Sequence, residues 1–143
     1  MIEQCVQEVR AFNRFYTVFL GILNNTYLHS RFSLAEVRVM YAAITKPGIT
    51  STEIVSILKV DKSYLSRMIA RLEKMRMLSR KKSKNDGRSF NFYITASGQK
   101  EFDKLDHIAT KEMTELLQHL NKKECTLLMK SMSQIEKILS KPQ

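Results

Sequence analysis

Apolar residues recur at three- and four-residue steps along the first thirty positions, through Val6, Val9, Phe12, Phe15, Tyr16, Phe19, Leu20, Leu23 and Tyr27. That period predicts one long helix over residues 2–30. Its stripe is wide and aromatic for a terminal helix, so it is expected to pack against more than its own domain. Ser33-Leu-Ala-Glu36 has the spacing of a capping box and opens a helix through Val37, Met40, Tyr41 and Ile44, which Lys46-Pro-Gly48 ends. Thr50-Ser-Thr-Glu53 is a second capping box, opening a short helix with Ile54, Ile57 and Leu58 inward. Asp61 can cap a fourth helix. There Leu65, Ile69 and Leu72 make the buried stripe, backed by Met68 and Met75, while Ser63, Arg67, Ala70 and Lys74 line the opposite face.

The period then changes. After residues 78–83, a stretch rich in cations, Phe90, Phe92 and Ile94 alternate with polar partners, the pattern of a half-buried strand. Asp86-Gly87 between the two halves supplies residues that tolerate positive φ at a hairpin tip. Helical spacing returns at Thr95 and runs past Leu105, Ile108, Met113 and Leu116 to about Leu120. Asn121 caps a last helix whose Leu128, Met132, Ile135 and Leu139 follow a four-three-four spacing. The order predicts a mainly α protein: a winged helix-turn-helix with a two-stranded β-wing and long helices at both ends. No internal repeat or low-complexity tract interrupts it.

Charge adds a partner to this outline. The chain has 143 residues, one domain's worth, and a formal charge of +10. Residues 59–100 hold twelve of the 24 Lys and Arg but only three acids, a net of +9, and both flanks are nearly neutral. A charge block centred on a helix-turn-helix and a hairpin points to a polyanion. Cys5 and Cys125 are too few for a disulfide framework. The N-terminus lacks the basic-then-apolar order of a signal peptide. The apolar run over 15–23 is too short to span a bilayer. A cytoplasmic protein without a membrane partner is expected.

The fourth helix shows small polar and cationic groups in its N-terminal half: Lys62, Ser63, Tyr64, Ser66 and Arg67. An α-helix fits the major groove, and residues near its N-terminus reach base edges. Arg67 could donate two bonds to a guanine or meet a phosphate, and Tyr64 could stack near the backbone or pack inward. The helix N-terminus itself favours phosphate. Arg71 and Lys74, further along, suit backbone oxygens. A hairpin beside such a helix can reach the next minor groove, where a guanidinium is drawn to the narrowed channel. Arg88 is the candidate for that contact. Asp86, supported by Gly87 in the turn, is placed to hold the Arg88 side chain. Arg80, Lys81, Lys82 and Lys84 lie where they can neutralise phosphates.

Residues 49–102, "ITSTEIVSILKVDKSYLSRMIARLEKMRMLSRKKSKNDGRSFNFYITASGQKEF", resemble the MarR family of winged-helix transcription regulators. The features that carry the resemblance are the "STEIVSIL" helix, the "DKSYLSRMIARLEK" helix, the "DGR" wing and "ITASGQK" leading into a long helix. The resemblance covers residues 33–105 in motif and the whole chain in layout. It implies a single domain over 1–143: a dimerisation helix at 1–30, a winged helix-turn-helix at 33–95 with its helix pair at about 51–74 and its wing at about 78–95, and C-terminal dimerisation helices at 96–143. It also implies a homodimer on a palindromic double-stranded DNA operator, and effectors that are small aromatic or lipophilic molecules or oxidants. The chain departs from the family at Arg76, where most members carry Gly after the recognition helix. A left-handed residue there would cost a non-Gly side chain roughly 1 kcal/mol.

Under that reading Phe12, Phe15, Tyr16 and Phe19 are a candidate effector pocket, with plain core packing as the alternative. Cys5 is a candidate redox residue. Its neighbours Glu3 and Glu8 put negative charge, not positive, beside the thiol, so a quiet thiol is the default. Cys125 reads as core or interface. His29, His107 and His119 have no ligand spacing, and neither a metal nor a cofactor is expected. No nucleophile elbow or glycine-rich phosphate loop points to an enzyme. The expected function is a sequence-specific transcription regulator, with repression favoured because occluding a promoter requires only binding. The alternative is a non-specific basic nucleic-acid binder, architectural or RNA-associated.

Overall fold

The computed structural model describes residues 1–24 and 26–142. Among these, six α-helices and two strands follow in the order α1 (Ile2–Phe19), α2 (Leu34–Thr45), α3 (Ser51–Leu58), α4 (Lys62–Lys74), β1 (Leu78–Lys82), β2 (Phe90–Ile94), α5 (Ala96–Leu117) and α6 (Lys122–Leu139). The chain divides into two compact units, Met1–Asp106 and His107–Gln143.

The first helix is shorter than its apolar period predicts. It stops at Phe19 because Gly21 takes φ +66° and closes a Schellman-type end: Gly21 N–H donates to the Val18 carbonyl at 3.0 Å and Ile22 N–H to Thr17 at 3.3 Å. Beyond it lie turns and a short 3-10 helix, Tyr27–His29. Asn25, inside the expected helix, lies outside the described residues.

The core of the first unit is built where α2, α3, α4 and the sheet meet. Val39, Met40, Ile54, Leu65 and Leu72 are fully enclosed, together with Phe32, Ile49 and Phe92 from outside the helices. Each such side chain contributes roughly 1.5–3 kcal/mol of burial. Two expected inward positions differ. Ile57 is exposed on α3, where Ile54 alone is buried and Leu58 half-buried. Tyr41 is also exposed, and stacks on Phe102 with ring centroids 5.7 Å apart.

The caps explain where the helices begin. Thr50 and Glu53 form a complete box, with Thr50 N–H donating to Glu53 at 2.9 Å and Glu53 N–H to the Thr50 hydroxyl at 3.3 Å. The Lys46 ammonium, then the Thr50 N–H, hold the Glu53 carboxyl below the ordinary carboxylate range. At α2 half a box is made: Ser33 accepts from Glu36 N–H at 3.1 Å, while the Glu36 carboxylate turns to Arg71. Asn121 and Glu124 close a second complete box at α6.

β1 and β2 pair antiparallel, with Leu78 opposite Ile94, Arg80 opposite Phe92 and Lys82 opposite Phe90. Phe92 also bonds in both directions to the turn after α2, donating to Ile49 and accepting from Gly48, each at 2.9 Å. The base of the hairpin is therefore anchored to the body of the unit. In the second unit α6 buries none of its residues: Met132, Ile135 and Leu139 are 45, 42 and 68 % exposed.

Candidate nucleic-acid interface

The outer face of α4 is set by its two ends. At the start, the Asp61 carboxylate accepts from Ser63 N–H at 3.0 Å and Tyr64 N–H at 3.2 Å. Two of the amides that a phosphate would use at this helix terminus are thus occupied by the chain's own acid. Further along, Leu65, Met68, Ile69 and Leu72 are buried, which leaves Lys62, Ser63, Ser66, Arg67, Ala70 and Lys74 exposed along the other side. Tyr64 is 41 % exposed. At the far end Arg76 takes φ +62°, so the turn keeps a left-handed residue there in spite of its side chain. Its N–H donates to the Glu73 carbonyl at 2.9 Å, and Met77 N–H donates to Leu72 at 2.8 Å, turning the chain into β1.

The wing tip spans residues 83–89 and is organised by Asp86. The Asp86 carboxylate accepts from Arg88 N–H at 3.0 Å and from the Ser89 hydroxyl at 3.2 Å, and the Asp86 carbonyl accepts from Ser89 N–H at 3.1 Å. This acid holds the backbone of Arg88, not its guanidinium as expected, and leaves that group exposed. Gly87 does not use the positive φ expected of it. The carboxylate turn replaces a left-handed hairpin tip.

Of the cations expected on DNA, the side chains of Lys62, Arg67, Lys74, Lys81, Lys82, Lys84 and Arg88 are exposed, and among the described residues no acid pairs with them. Two others are committed within the chain. Arg71 pairs with the largely buried Glu36 and donates to the Arg31 carbonyl at 2.9 Å, tying α4 to the start of α2. Arg80 forks onto Glu73 through Nε, at 2.8 Å, and through its second terminal nitrogen. That pairing raises the Arg80 pKa above its usual value. The Arg80 guanidinium also lies over the rings of Phe90 and Phe92, 4.7 and 5.4 Å from their centroids.

Gly98 was not singled out by periodicity or charge, yet it seats α5 against the turn after α4. A Cβ built there would lie 2.2 Å from the Met77 carbonyl oxygen and 2.7 Å from Ile94 Cδ1. The Thr95 hydroxyl completes this joint, donating to the Arg76 carbonyl at 2.6 Å and accepting from Gly98 N–H at 2.9 Å.

The other expected sites have simpler surroundings. Phe12, Phe15, Tyr16 and Phe19 stack as a ladder along α1, with neighbouring centroids 5.3 to 6.4 Å apart, and Phe12 and Phe15 are exposed. Cys5 is exposed and Cys125 half-buried. No group of three metal-ligating side chains occurs among the described residues, and none of their helices is long and apolar enough to cross a membrane.

The sequence model of the MarR family matches residues 32–90, the stretch from α2 to the start of β2 that carries the exposed face of α4 and the wing. Residues 32–90 form a MarR-family domain. The family is one of DNA-binding transcription regulators with a winged helix. The MarR-type layout extends through the whole chain. A MarR family protein from Bacillus stearothermophilus superposes with a TM-score of 0.82 at 12 % identity, over 99 % of each chain. A mutant MarR from E. coli complexed with operator DNA gives 0.71 at 22 % identity, over 94 % of each. BpsR of Bordetella bronchiseptica, whose DNA binding is regulated by 6-hydroxynicotinic acid, gives 0.73 at 18 % identity, over 91 % of this chain and 98 % of its own. Among curated protein sequences there is no significant match.

Proposed function

We propose that this MarR-type regulator is a homodimeric repressor that reads a palindromic operator with two copies of α4 and two wings. The observation that carries the reading is the pairing of an exposed Lys62–Arg67 face on a capped helix with Arg88, which no acid among the described residues pairs with, at the tip of a hairpin anchored at its base. The helix fits a major groove, and the tip arginine suits the adjacent minor groove. Lys62, Lys74, Lys82 and Lys84 would neutralise phosphates, and Ser63, Tyr64 and Ser66 would lie along the groove.

A second copy supplies what one chain lacks. α1 and α6 bury none of their residues, although each carries an apolar stripe. A dimer would cover both stripes and set the two recognition helices about 34 Å apart, one turn of DNA. A small aromatic or lipophilic effector would release DNA by changing that separation. In a single chain the Phe12–Phe19 ladder is an open surface, so a pocket there needs the second copy as its other wall. A cavity of about 250 Å³ within the first unit, where Tyr41 and Phe102 stack and Arg38 and Asp106 also line the wall, offers an aromatic surface with one group of each charge. Oxidation at Cys5 is the alternative trigger, with exposure its only support here.

Selection of bound duplexes from a random DNA pool tests the reading. The enriched sequences are expected to show inverted symmetry, and Arg67→Ala and Arg88→Ala are each expected to weaken binding to them by roughly 1–3 kcal/mol without unfolding the protein. Enrichment without symmetry, or equal affinity for selected and random duplexes, would favour a non-specific binder instead.

A further inference from the structure

Arg80 lies on the wing in a block of cations, so its charge alone would assign it to a phosphate. Its contacts say otherwise. The guanidinium is held on one edge by the Glu73 carboxylate of α4 and on its face by Phe90 and Phe92 of β2. Phe92 lies opposite Arg80 in the ladder and is bonded on its other side to Gly48 and Ile49. One side chain therefore joins the recognition helix, the wing and the turn that anchors the wing.

We propose that Glu73 and Arg80 form a latch that fixes the angle of the wing against α4, so that Arg80 positions Arg88 and does not contact phosphate. This inference rests on the reading of α4 and the wing given above. A planar fork suits the task, because two parallel hydrogen bonds define an orientation where a single ammonium would only define a distance. Leverage makes the angle matter. The wing tip lies about five residues beyond Arg80, at most about 16 Å of extended chain, so a rotation of roughly 10° at the base moves the tip by up to about 3 Å, a full hydrogen-bond length.

The latch and the phosphate contact predict opposite signs. Losing Glu73 removes a negative charge near DNA, so simple electrostatics predicts tighter binding for Glu73→Gln. The latch predicts that Glu73→Gln loses roughly tenfold in affinity for the duplex selected by the wild-type protein, with affinity for a scrambled duplex unchanged or slightly higher. Arg80→Lys keeps the charge but not the fork, and is expected to lose a similar factor. Its log–log salt slope should stay at the wild-type value, whereas Arg80→Gln would flatten that slope by about 0.9 if Arg80 met a phosphate. A measurement without DNA separates the latch from the functional reading. Spin labels at Ala70→Cys and Asn85→Cys, in a Cys5→Ser, Cys125→Ser background, report the distance between helix and wing tip. The distribution should broaden when Glu73→Gln or Arg80→Lys is added. Equal widths, or tighter binding of both duplexes by Glu73→Gln, overturn the latch. A wild-type protein without sequence preference overturns the functional reading, and the label distances still decide the latch.

Discussion

Gly98 shows how a single atom can outweigh helix propensity. It lies in the first turn of α5, where alanine would ordinarily be the better helix former by roughly 1 kcal/mol. The Met77 carbonyl oxygen stands 2.2 Å from where a Cβ would go, and a backbone oxygen cannot swing aside as a side chain can. Overpacking of this kind costs typically 1–3 kcal/mol, so the clash decides the sign. Gly98→Ala is expected to destabilise the protein by about 2 kcal/mol in urea unfolding, and a neutral or stabilising result would mean that α5 moves away freely. Nothing in the spacing of apolar residues marks this position. The family motif "ITASGQK" includes the position, and only the approach of another segment explains the glycine. Arg71 and Arg80 teach the same lesson about charge. Both read as surface cations available to DNA, and both find acids 35 and 7 residues away in the chain.

Among the elements, α4 was the most legible, because every signal along it is local. Asp61 caps it, four apolar residues at helical spacing bury its inner side, and the outer face is what remains. Its C-terminal turn carries a residual strain. Arg76 sits at φ +62°, a region that costs a residue with a Cβ about 1–2 kcal/mol, while glycine there gives back part of the gain through a freer unfolded chain. Arg76→Gly is therefore expected to stabilise the fold by up to about 1 kcal/mol, seen as a rise in the urea midpoint at constant slope. A loss of stability would show that the Arg76 side chain contributes more than its backbone costs. α1 was less legible. Its apolar period continues past Phe19, but Gly21 and the Schellman bonds end the helix, since a period reports which side is apolar and says little about where the backbone turns.

For the whole molecule, two helices with exposed apolar stripes are the largest unmet demand of the fold. Met132 and Ile135, on α6, are nearly half exposed, a state that water penalises unless a partner covers them. Ile135→Glu places a charge on that stripe. It is expected to shift the protein from dimer to monomer at micromolar concentration in sedimentation, and to weaken operator binding by well over tenfold because half-sites must then be bound one at a time. A wild-type protein that is already monomeric would remove the dimer from the proposal.

Local order in the chain sufficed for the sequence of elements, the caps of α2, α3, α4 and α6, the buried side of α4 and the position of the wing. These follow from short-range rules, the period of apolar residues and hydrogen bonds between neighbours in sequence. Contacts between distant segments decided the rest: the burial of Phe32 and Ile49 outside any helix, the diversion of Glu36 from its own cap to Arg71, the capture of Arg80 by Glu73, and the need for glycine at 98. A side chain's chemistry can be read from its letter, but its partner depends on what the fold brings within a few ångströms, and that is a property of the packed chain.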